Sequence, residues 1–349
     1  MSEVLVRIEG SAGRLTLNRP AALNALTLGM VRQIDAALTA WEADAAVALV
    51  MIDAAPGSAF CAGGDIRALY DAANARDWTF CETFFREEYR LDARIARYPK
   101  PIVTLMDGTT MGGGVGIGCH ASRRVVTERA AFAMPEVRIG FSPDVGGTYL
   151  LSTIPGELGT HLALTGQRID ADDAIACGLA DCRVSSDRIV DIGRGLAECR
   201  SRAAVDGVLA AFAVPSGDGH LLSSSSWIAR CYAGSEVEGI VAALQAAPET
   251  EAHQAAKAIA RGAPASLKLA LASLRRARGL GRLAACLDQE FRVTLSRIRD
   301  PDFVEGIRAA VVDKDNAPRW VPERLQDVAQ SDVERHFASL GNRELGLDA

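Results

Sequence analysis

Hydrophobic and polar positions near the amino terminus alternate in a way that predicts β-structure. The stretches 4–10, VLVRIEG, and 12–20, AGRLTLNRP, alternate and are rich in β-branched residues and leucine. We expect a pair of strands here that ends at Pro20. From Thr27 onwards, apolar residues recur at every third or fourth position, which predicts one buried face of a helix. These apolar positions are Leu28, Val31, Ile34, Leu38 and Trp41.

Continuous apolar runs then alternate with glycine-rich turns. The runs 47–55, VALVMIDAA, and 101–108, PIVTLMDG, predict buried strands. Each run is followed by a glycine turn that opens a predicted helix. The unit of strand, glycine turn and helix thus occurs twice, near 47–73 and 102–121, and predicts an α/β fold. A strand pair is expected in 123–136, and a short helix, a glycine at Gly178 and a strand in 170–184.

The pattern changes after about residue 187. Segments 188–212, 236–260 and 264–299 are rich in alanine, leucine and arginine and repeat with a helical period. The stretch 214–226, VPSGDGHLLSSSS, predicts a loop or linker. We therefore expect an α/β core over residues 1–187 and a mostly helical region over residues 188–349, which packs on the core and completes its site.

Composition and charge disfavour several classes of partner. Of the 349 residues, 49% are apolar and 23% are charged, and the formal net charge is −6. A nucleic-acid-binding protein is expected to carry a basic face, so no nucleic acid partner is expected. No apolar run approaches the length of a membrane span, and the start, MSEVLVRIEG, lacks the basic and apolar regions of a secretory signal. These features favour a cytoplasmic protein without a membrane partner.

Eight cysteines are scattered along the chain and form no Cys-x-x-Cys pair. A metal site or a disulfide framework uses tighter spacing than this. We therefore expect reduced cysteines that fill small apolar spaces, and no metal site.

The stretch 111–120, MGGGVGIGCH, contains five glycines, so half of its backbone carries no side chain. The phosphate-loop spacing G-x-G-x-x-G cannot be laid on it, and G-x-x-x-x-G-K-[ST] is absent from the chain. One alternative is a helix whose glycines permit close packing. A second glycine turn, CAGGDIR at 61–67, favours a different role, in which the turns expose backbone N–H groups. The first N–H groups of a helix have no partner within the helix. Two such turns side by side would stabilise a carbonyl oxygen that gains negative charge.

Five longer stretches resemble the crotonase, or enoyl-CoA hydratase/isomerase, superfamily, and the resemblance continues in the tail 300–320. It implies a crotonase fold, which is a ClpP-like spiral of ββα units with a C-terminal helical region. It also implies an acyl-CoA thioester as the small-molecule substrate, no metal or redox cofactor, and a possible homo-oligomer. The stretches are NRPAALNALT, FCAGGDIR, DGTTMGGGVGIG, FAMPEVRIGFSPDVGGTYLL and LALTGQRIDADDAIACGLADCRV.

The resemblance assigns an oxyanion hole to two backbone N–H groups. They belong to Gly64, which follows CAG, and to Gly113, the middle glycine of MGGG. Gly112 and Gly114 are then expected to serve close packing or a permissive φ.

The resemblance also implies three substrate-binding positions. Asp65 and Ile66 match the segment whose backbone meets the adenine in the superfamily, although Asp65 alone is typical of a helix start. Glu88, in FFREEY, matches an acid near the acyl group in one hydrolase branch of the superfamily. By composition alone, a surface salt bridge is an equal alternative for Glu88.

Two carboxylates are candidates for the chemistry. The hydratases of the superfamily use two glutamates, and one of these positions is Gly116 here, which cannot transfer a proton; the other is Glu136. Eight residues further on, Asp144 in SPDVGG is either a helix N-cap or a catalytic acid. Glu136 is either a first-turn helix acid or a catalytic one. The hydrolase branch has the same glutamate and aspartate, which favours catalysis for both.

That branch hydrolyses 3-hydroxyisobutyryl-CoA in valine breakdown, so the resemblance predicts a thioester hydrolase. Glu136 would attack the carbonyl or activate water, and Asp144 would contact the substrate hydroxyl and assist proton transfer. Two alternatives stay open. One is an enoyl-CoA hydratase or isomerase that uses Glu136 alone, and the other is an acyl-CoA-binding member without catalysis.

Overall fold

The computed structural model describes residues 2–347. Contacts between residues divide the chain into two compact units, each assembled from three stretches. The first unit contains Met1–Gly64, Leu91–Phe132 and Ile169–Leu222, and the second contains Asp65–Arg90, Ala133–Arg168 and Ser223–Ala349. Both units draw on both halves of the chain, so they do not follow the change in composition at residue 187. The regions 1–187 and 188–349 stay a prediction about domain organisation.

The strands form two sheets. Their bounds are β1 (Val4–Glu9), β2 (Ala12–Leu17), β3 (Leu49–Ala54), β4 (Ala59–Cys61), β5 (Ile102–Met106), β6 (Thr109–Met111), β7 (Arg123–Thr127), β8 (Ala131–Ala133), β9 (Cys182–Val184) and β10 (Ala213–Val214). The larger sheet has the order β1-β2-β3-β5-β7-β9-β10, and the smaller has the order β4-β6-β8. In the larger sheet, β2, β3, β5, β7 and β9 are parallel, while β1 and β10 pair antiparallel at the two edges.

Helices make up most of the remaining chain. Their bounds are α1 (Leu28–Glu42), α2 (Ile66–Asn74), α3 (Trp78–Ala96), α4 (Gly113–Cys119), α5 (Gly147–Thr153), α6 (Leu158–Thr165), α7 (Ala171–Ala176), α8 (Ile189–Ala197), α9 (Arg202–Phe212), α10 (His220–Ser223), α11 (Ser225–Cys231), α12 (Val237–Ala246), α13 (Thr250–Ile259), α14 (Pro264–Leu280), α15 (Leu283–Arg297), α16 (Pro301–Ile307) and α17 (Gln330–Glu334). Across residues 2–347, no helix is both long and apolar enough to cross a bilayer.

The first unit has its core on the parallel strands. Helices α8 and α9 cover one face of the large sheet with Ile192, Leu196, Val205 and Leu209, which pack on side chains of β3, β5, β7 and β9. The sheet side chains are Leu49, Met51, Val103, Leu105, Val125 and Val184. Since strands of a parallel sheet are covered on both faces, the continuous apolar runs of β3 and β5 are explained.

The second unit is mostly helical. Helix α14 lies among α5, α6 and α15, and α13 contacts α6. The fully buried Arg297 donates hydrogen bonds from Nε and Nη2 to the Gly140 carbonyl, at 3.2 and 2.6 Å. These bonds tie α15 to the segment that precedes α5.

Most elements predicted from the sequence are confirmed. The first strand pair, α1, both strand–turn–helix units and the helix–glycine–strand order at 170–184 occur as expected. Each of the three C-terminal segments contains two helices. The strand pair predicted in 123–136 is wrong, because β7 and β8 belong to different sheets.

The eight cysteines are all free, and all except the half-buried Cys182 are buried. Burial raises the pKa of the Cys119 and Cys177 thiols to about 12. Their burial confirms the prediction that the cysteines fill small apolar spaces, and their reduced state stays a prediction.

Candidate active site

The two glycine turns lie next to each other in the first unit. Strands β4 and β6 are parallel, with Ala59 opposite Thr109 and Cys61 opposite Thr110. A glycine turn follows the end of each strand. A Cβ atom built on Gly63 would lie only 4.0 Å from the Gly113 nitrogen. The pairing of two three-residue strands therefore brings the two turns together.

Backbone geometry explains two of the glycines. Gly112 has φ +45° and ψ −122°, a conformation that other residues rarely adopt, and it immediately precedes α4. A Cβ atom on Gly114 would lie 2.1 Å from the Cys61 carbonyl oxygen, so α4 packs directly on β4. The expectation that these two glycines serve a permissive φ and close packing is confirmed.

Within residues 2–347, no turn or loop hydrogen bond is donated by the Gly64 or Gly113 N–H group, the two groups predicted to form the oxyanion hole. Gly113 is the first residue of α4, and the Gly112 carbonyl accepts from Val115 and Gly116 instead. Near Gly64, the Gly63 carbonyl accepts from Leu26 at 2.8 Å. The two donors have the freedom that an oxyanion hole requires, and their role stays a prediction.

Three buried carboxylates gather in the second unit. Glu88 lies on α3, Glu136 begins a short 3₁₀ turn over 136–139, and Asp144 lies between that turn and α5. Their side chains belong to residues that are only 2%, 6% and 6% exposed. Glu88 is therefore not a surface salt-bridge residue, and the observed first-turn position of Glu136 does not exclude a catalytic role.

Burial raises the pKa values of these acids, and repulsion by Asp144 adds to the effect for two of them. Burial, and then the charge of Asp144, raise the pKa of both Glu88 and Glu136 well above the usual range. Burial raises the pKa of Asp144 from 3.8 to about 7. Glu88 Oε1 and Glu136 Oε2 have no hydrogen-bond partner among residues 2–347. A buried polar atom without a partner is unfavourable, and a bound ligand would relieve that cost.

Asp144 has one direct partner that sequence reasoning missed. The Tyr89 hydroxyl donates to Asp144 Oδ2 at 2.7 Å, and its oxygen lies 2.6 Å from Thr294 Oγ1. Tyr89 is the last residue of FFREEY, directly after Glu88. This adjacency was the only signal in the sequence that pointed to it.

A second missed residue, Glu290, caps the helix that follows Asp144. Its carboxylate accepts from the Gly146 N–H at 2.7 Å, the Thr148 N–H at 2.9 Å and the Thr148 hydroxyl at 2.5 Å. Helix α5 begins at Gly147, and no side chain of its own segment caps it. The alternative that Asp144 is an N-cap is therefore wrong, because Glu290 on α15 satisfies those donors.

The remaining candidates have simpler roles. Asp65 caps α2, accepting from the Ala68 N–H at 3.2 Å, and Ile66 is the first residue of that helix. The adenine contacts expected for both stay predictions. Gly116 is buried inside α4. Within residues 2–347, no three His, Cys, Asp or Glu side chains are arranged to hold a metal ion.

Comparisons with known proteins agree on one family. A family model described as enoyl-CoA hydratase/isomerase matches residues 12–337. A Rattus norvegicus protein named 3-hydroxyisobutyryl-CoA hydrolase, mitochondrial, is 42% identical over 351 residues, 99% of this chain and 91% of that protein. The Homo sapiens protein of the same name is 40% identical over 350 residues, 98% of this chain and 90% of that protein.

Two solved structures superpose on nearly the whole chain. A carnitinyl-CoA dehydratase from Mycobacterium thermoresistibile has a TM-score of 0.95 and 46% identity over 100% of both chains. An enoyl-CoA hydratase from Rhodobacter sphaeroides 2.4.1 has a TM-score of 0.93 and 44% identity over 99% of both chains.

These comparisons confirm one expectation and correct another. The predicted crotonase fold with a C-terminal helical region is confirmed by both superpositions. The expectation of a cytoplasmic protein is wrong, because the rat and human relatives are both named as mitochondrial. With the family model matching most of its length, this chain belongs to the enoyl-CoA hydratase/isomerase family.

Proposed function

We propose that this chain hydrolyses the thioester of a short-chain 3-hydroxyacyl-CoA, with 3-hydroxyisobutyryl-CoA as the substrate. The observation that carries the proposal is the cluster of Glu88, Glu136 and Asp144, which are buried and have raised pKa values. Gly116 stands where the hydratases of this family have a second glutamate, so the hydration chemistry lacks one of its acids. The names of the rat and human relatives support hydrolysis.

The names of the two superposed structures point to hydration or dehydration instead. Names alone therefore do not choose between the reactions. The choice depends on which proton-transfer groups are present, and Gly116 has none.

Each candidate residue has a role in the proposed hydrolysis. The N–H groups of Gly64 and Gly113 donate to the thioester oxygen as it gains negative charge. Glu136 either attacks the acyl carbon to form an anhydride or removes a proton from the attacking water. In the first route the acyl carbon bonds to the Glu136 oxygen, the carbon–sulfur bond breaks and the thiolate takes a proton; water then hydrolyses the anhydride and restores the Glu136 carboxylate. In the second route the acyl carbon bonds to the oxygen of water, the carbon–sulfur bond breaks, and the thiolate takes the proton that Glu136 removed. The products are a carboxylic acid and free CoA, and no metal or redox cofactor takes part.

The other acids bind and orient the substrate. Asp144 contacts the 3-hydroxyl group and assists proton transfer, and Glu88 lies beside the acyl group. The backbone at Asp65 and Ile66 meets the adenine of CoA.

The test measures two reactions side by side. Release of the CoA thiol from 3-hydroxyisobutyryl-CoA is followed together with loss of enoyl absorbance from crotonyl-CoA. We expect ready thiol release and weak or absent hydration. Efficient hydration without thiol release would assign the chain to the hydratases, and binding without either reaction would make it a non-catalytic acyl-CoA-binding protein.

A variant then tests the assigned acid. Glu136→Gln keeps the size of the side chain and removes proton transfer, so the hydrolysis rate should fall by about 10²–10⁴. Glu251→Gln, at an exposed position on α13, is the matched control and should keep the parent rate. Equal rates for the two variants would remove Glu136 from the mechanism.

A further inference from the structure

The carboxylate of Asp144 is held from one side by a fixed hydroxyl group. An ionised carboxylate only accepts hydrogen bonds, so the Tyr89 hydroxyl must donate its proton to Asp144 Oδ2. That hydroxyl has a single proton, and Thr294 must therefore be the donor in the second bond, to the Tyr89 oxygen. The result is a directed chain of donors that runs from Thr294 through Tyr89 to Asp144.

The ring that carries this hydroxyl is fixed by its neighbours. Tyr89 is fully buried. Phe85 and Phe291 meet the ring edge to face, with centroids 5.9 and 6.1 Å away. Packing of this kind leaves the ring little freedom to follow a moving carboxylate. The carboxylate must adapt to the hydroxyl.

We infer that Tyr89 is a positioning residue of the proposed hydrolysis: its hydroxyl favours the ionised form of Asp144 and fixes the Oδ2 atom, so that Oδ1 faces the substrate. This inference rests on the proposed function, because it presupposes that Asp144 takes part in the reaction. A hydrogen bond donated to a carboxylate favours the ionised form.

The other side chains that interact electrostatically with Asp144 among residues 2–347 are also acids. Glu88 lies next to Tyr89 on α3, Glu136 lies on the 3₁₀ turn, and Glu290 lies on α15. All three are carboxyl groups, so none of them supplies a positive charge that would favour ionisation of Asp144. Tyr89 supplies the only side-chain hydrogen bond that Asp144 accepts among residues 2–347. Its removal should therefore raise the pKa of Asp144 above its present value of about 7.

Tyr89→Phe removes the hydroxyl and keeps the packed ring. The acid limb of the pH–rate profile should move up by on the order of one pH unit. If the limb moves from about pH 7 to about pH 8, the ionised fraction at neutral pH falls about fivefold, and the rate with it. Rates of parent and variant should converge above about pH 9, and KM should change little.

Two further variants make the test specific. Tyr232→Phe removes a buried phenol hydroxyl of the same unit that pairs with His161 and touches none of these acids. It should keep the parent profile. Thr294→Val removes the donor behind Tyr89 and should shift the limb in the same direction by a smaller amount. It tests the same chain of donors if Tyr89→Phe does not fold.

A readout without turnover separates this inference from the proposed function. The pH dependence of thermal unfolding is compared for Tyr89→Phe in the parent background and in an Asp144→Asn background. The upward shift should appear only where Asp144 is present. If the parent releases no CoA, the proposed function fails while this comparison still tests Tyr89. A rate loss that is the same at every pH, with an unchanged unfolding profile, would refute the positioning role.

Discussion

Replacing the proposed catalytic carboxylate Asp144 by asparagine should make the protein more stable at alkaline pH. Burial raises the pKa of Asp144 from 3.8 to about 7. In the unfolded chain, this group ionises near its usual pKa, whereas the folded protein resists ionisation. The favourable contribution of the Asp144 carboxyl group to folding is therefore complete below about pH 4 and is lost as the pH rises through about 7.

The size of the effect follows from the shift. One pKa unit corresponds to about 1.4 kcal/mol, so the folded parent loses about 4 kcal/mol at most between about pH 4 and pH 8 through this group. Asparagine carries no charge, and its oxygen can still accept the hydrogen bond from Tyr89. The variant should unfold several degrees higher than the parent at about pH 8, and the difference should vanish near pH 4.

The assay is thermal unfolding of parent and variant at both pH values. Asp206→Asn is a control of opposite sign, because Arg123 lowers the pKa of this exposed carboxyl group through its hydrogen bonds. That control should lose stability at about pH 8. A midpoint for Asp144→Asn that is equal to or below the parent at about pH 8 would show that the carboxylate is not held at a cost to folding. A gain that persists near pH 4 would have another origin.

Three further outcomes follow from the same structure. Gly114→Ala should destabilise the protein by about 1–3 kcal/mol in chemical denaturation, because its Cβ would meet the Cys61 carbonyl oxygen at 2.1 Å. The control Gly239→Ala has open space around its Cβ and should be neutral or stabilising. Thr148→Val should lower the unfolding midpoint by an amount that corresponds to about 1–3 kcal/mol, since it removes the buried hydroxyl that donates to Glu290 at 2.5 Å; an unchanged midpoint would contradict the assigned cap. CoA release by the parent should rise with pH through about 7 and beyond as Asp144 and Glu136 ionise, and a flat profile from about pH 5 to 9 would contradict this.

Elements with a long, regular pattern could be predicted from the sequence. Helix α1 and strands β3 and β5 each contain enough apolar positions for their period to be visible. Strands β4, β6 and β8 have three residues each, which is too few for a period. These short strands are nevertheless the elements that align the two glycine turns.

The residues of the candidate site also differ in how far their signal extends along the sequence. Gly64, Gly113, Glu136 and Asp144 lie in local motifs, so a resemblance could identify them. Glu290 is 144 positions from Gly146 along the chain, and only folding brings its carboxylate to the N–H groups at the start of α5. The error about an N-cap at Asp144 has this cause, because sequence reasoning looked for the cap within the same segment.

The buried thiols determine how the protein behaves towards disulfide reagents. Burial raises the pKa of Cys81 and Cys182 to about 11, and that of Cys119 and Cys177 to about 12. Exchange with such a reagent requires the thiolate, which is scarce near neutral pH at these values. These four thiols should therefore contribute almost no colour to an assay that counts newly released CoA. Any slow signal without substrate would measure how often the molecule opens and exposes its own sulfur atoms.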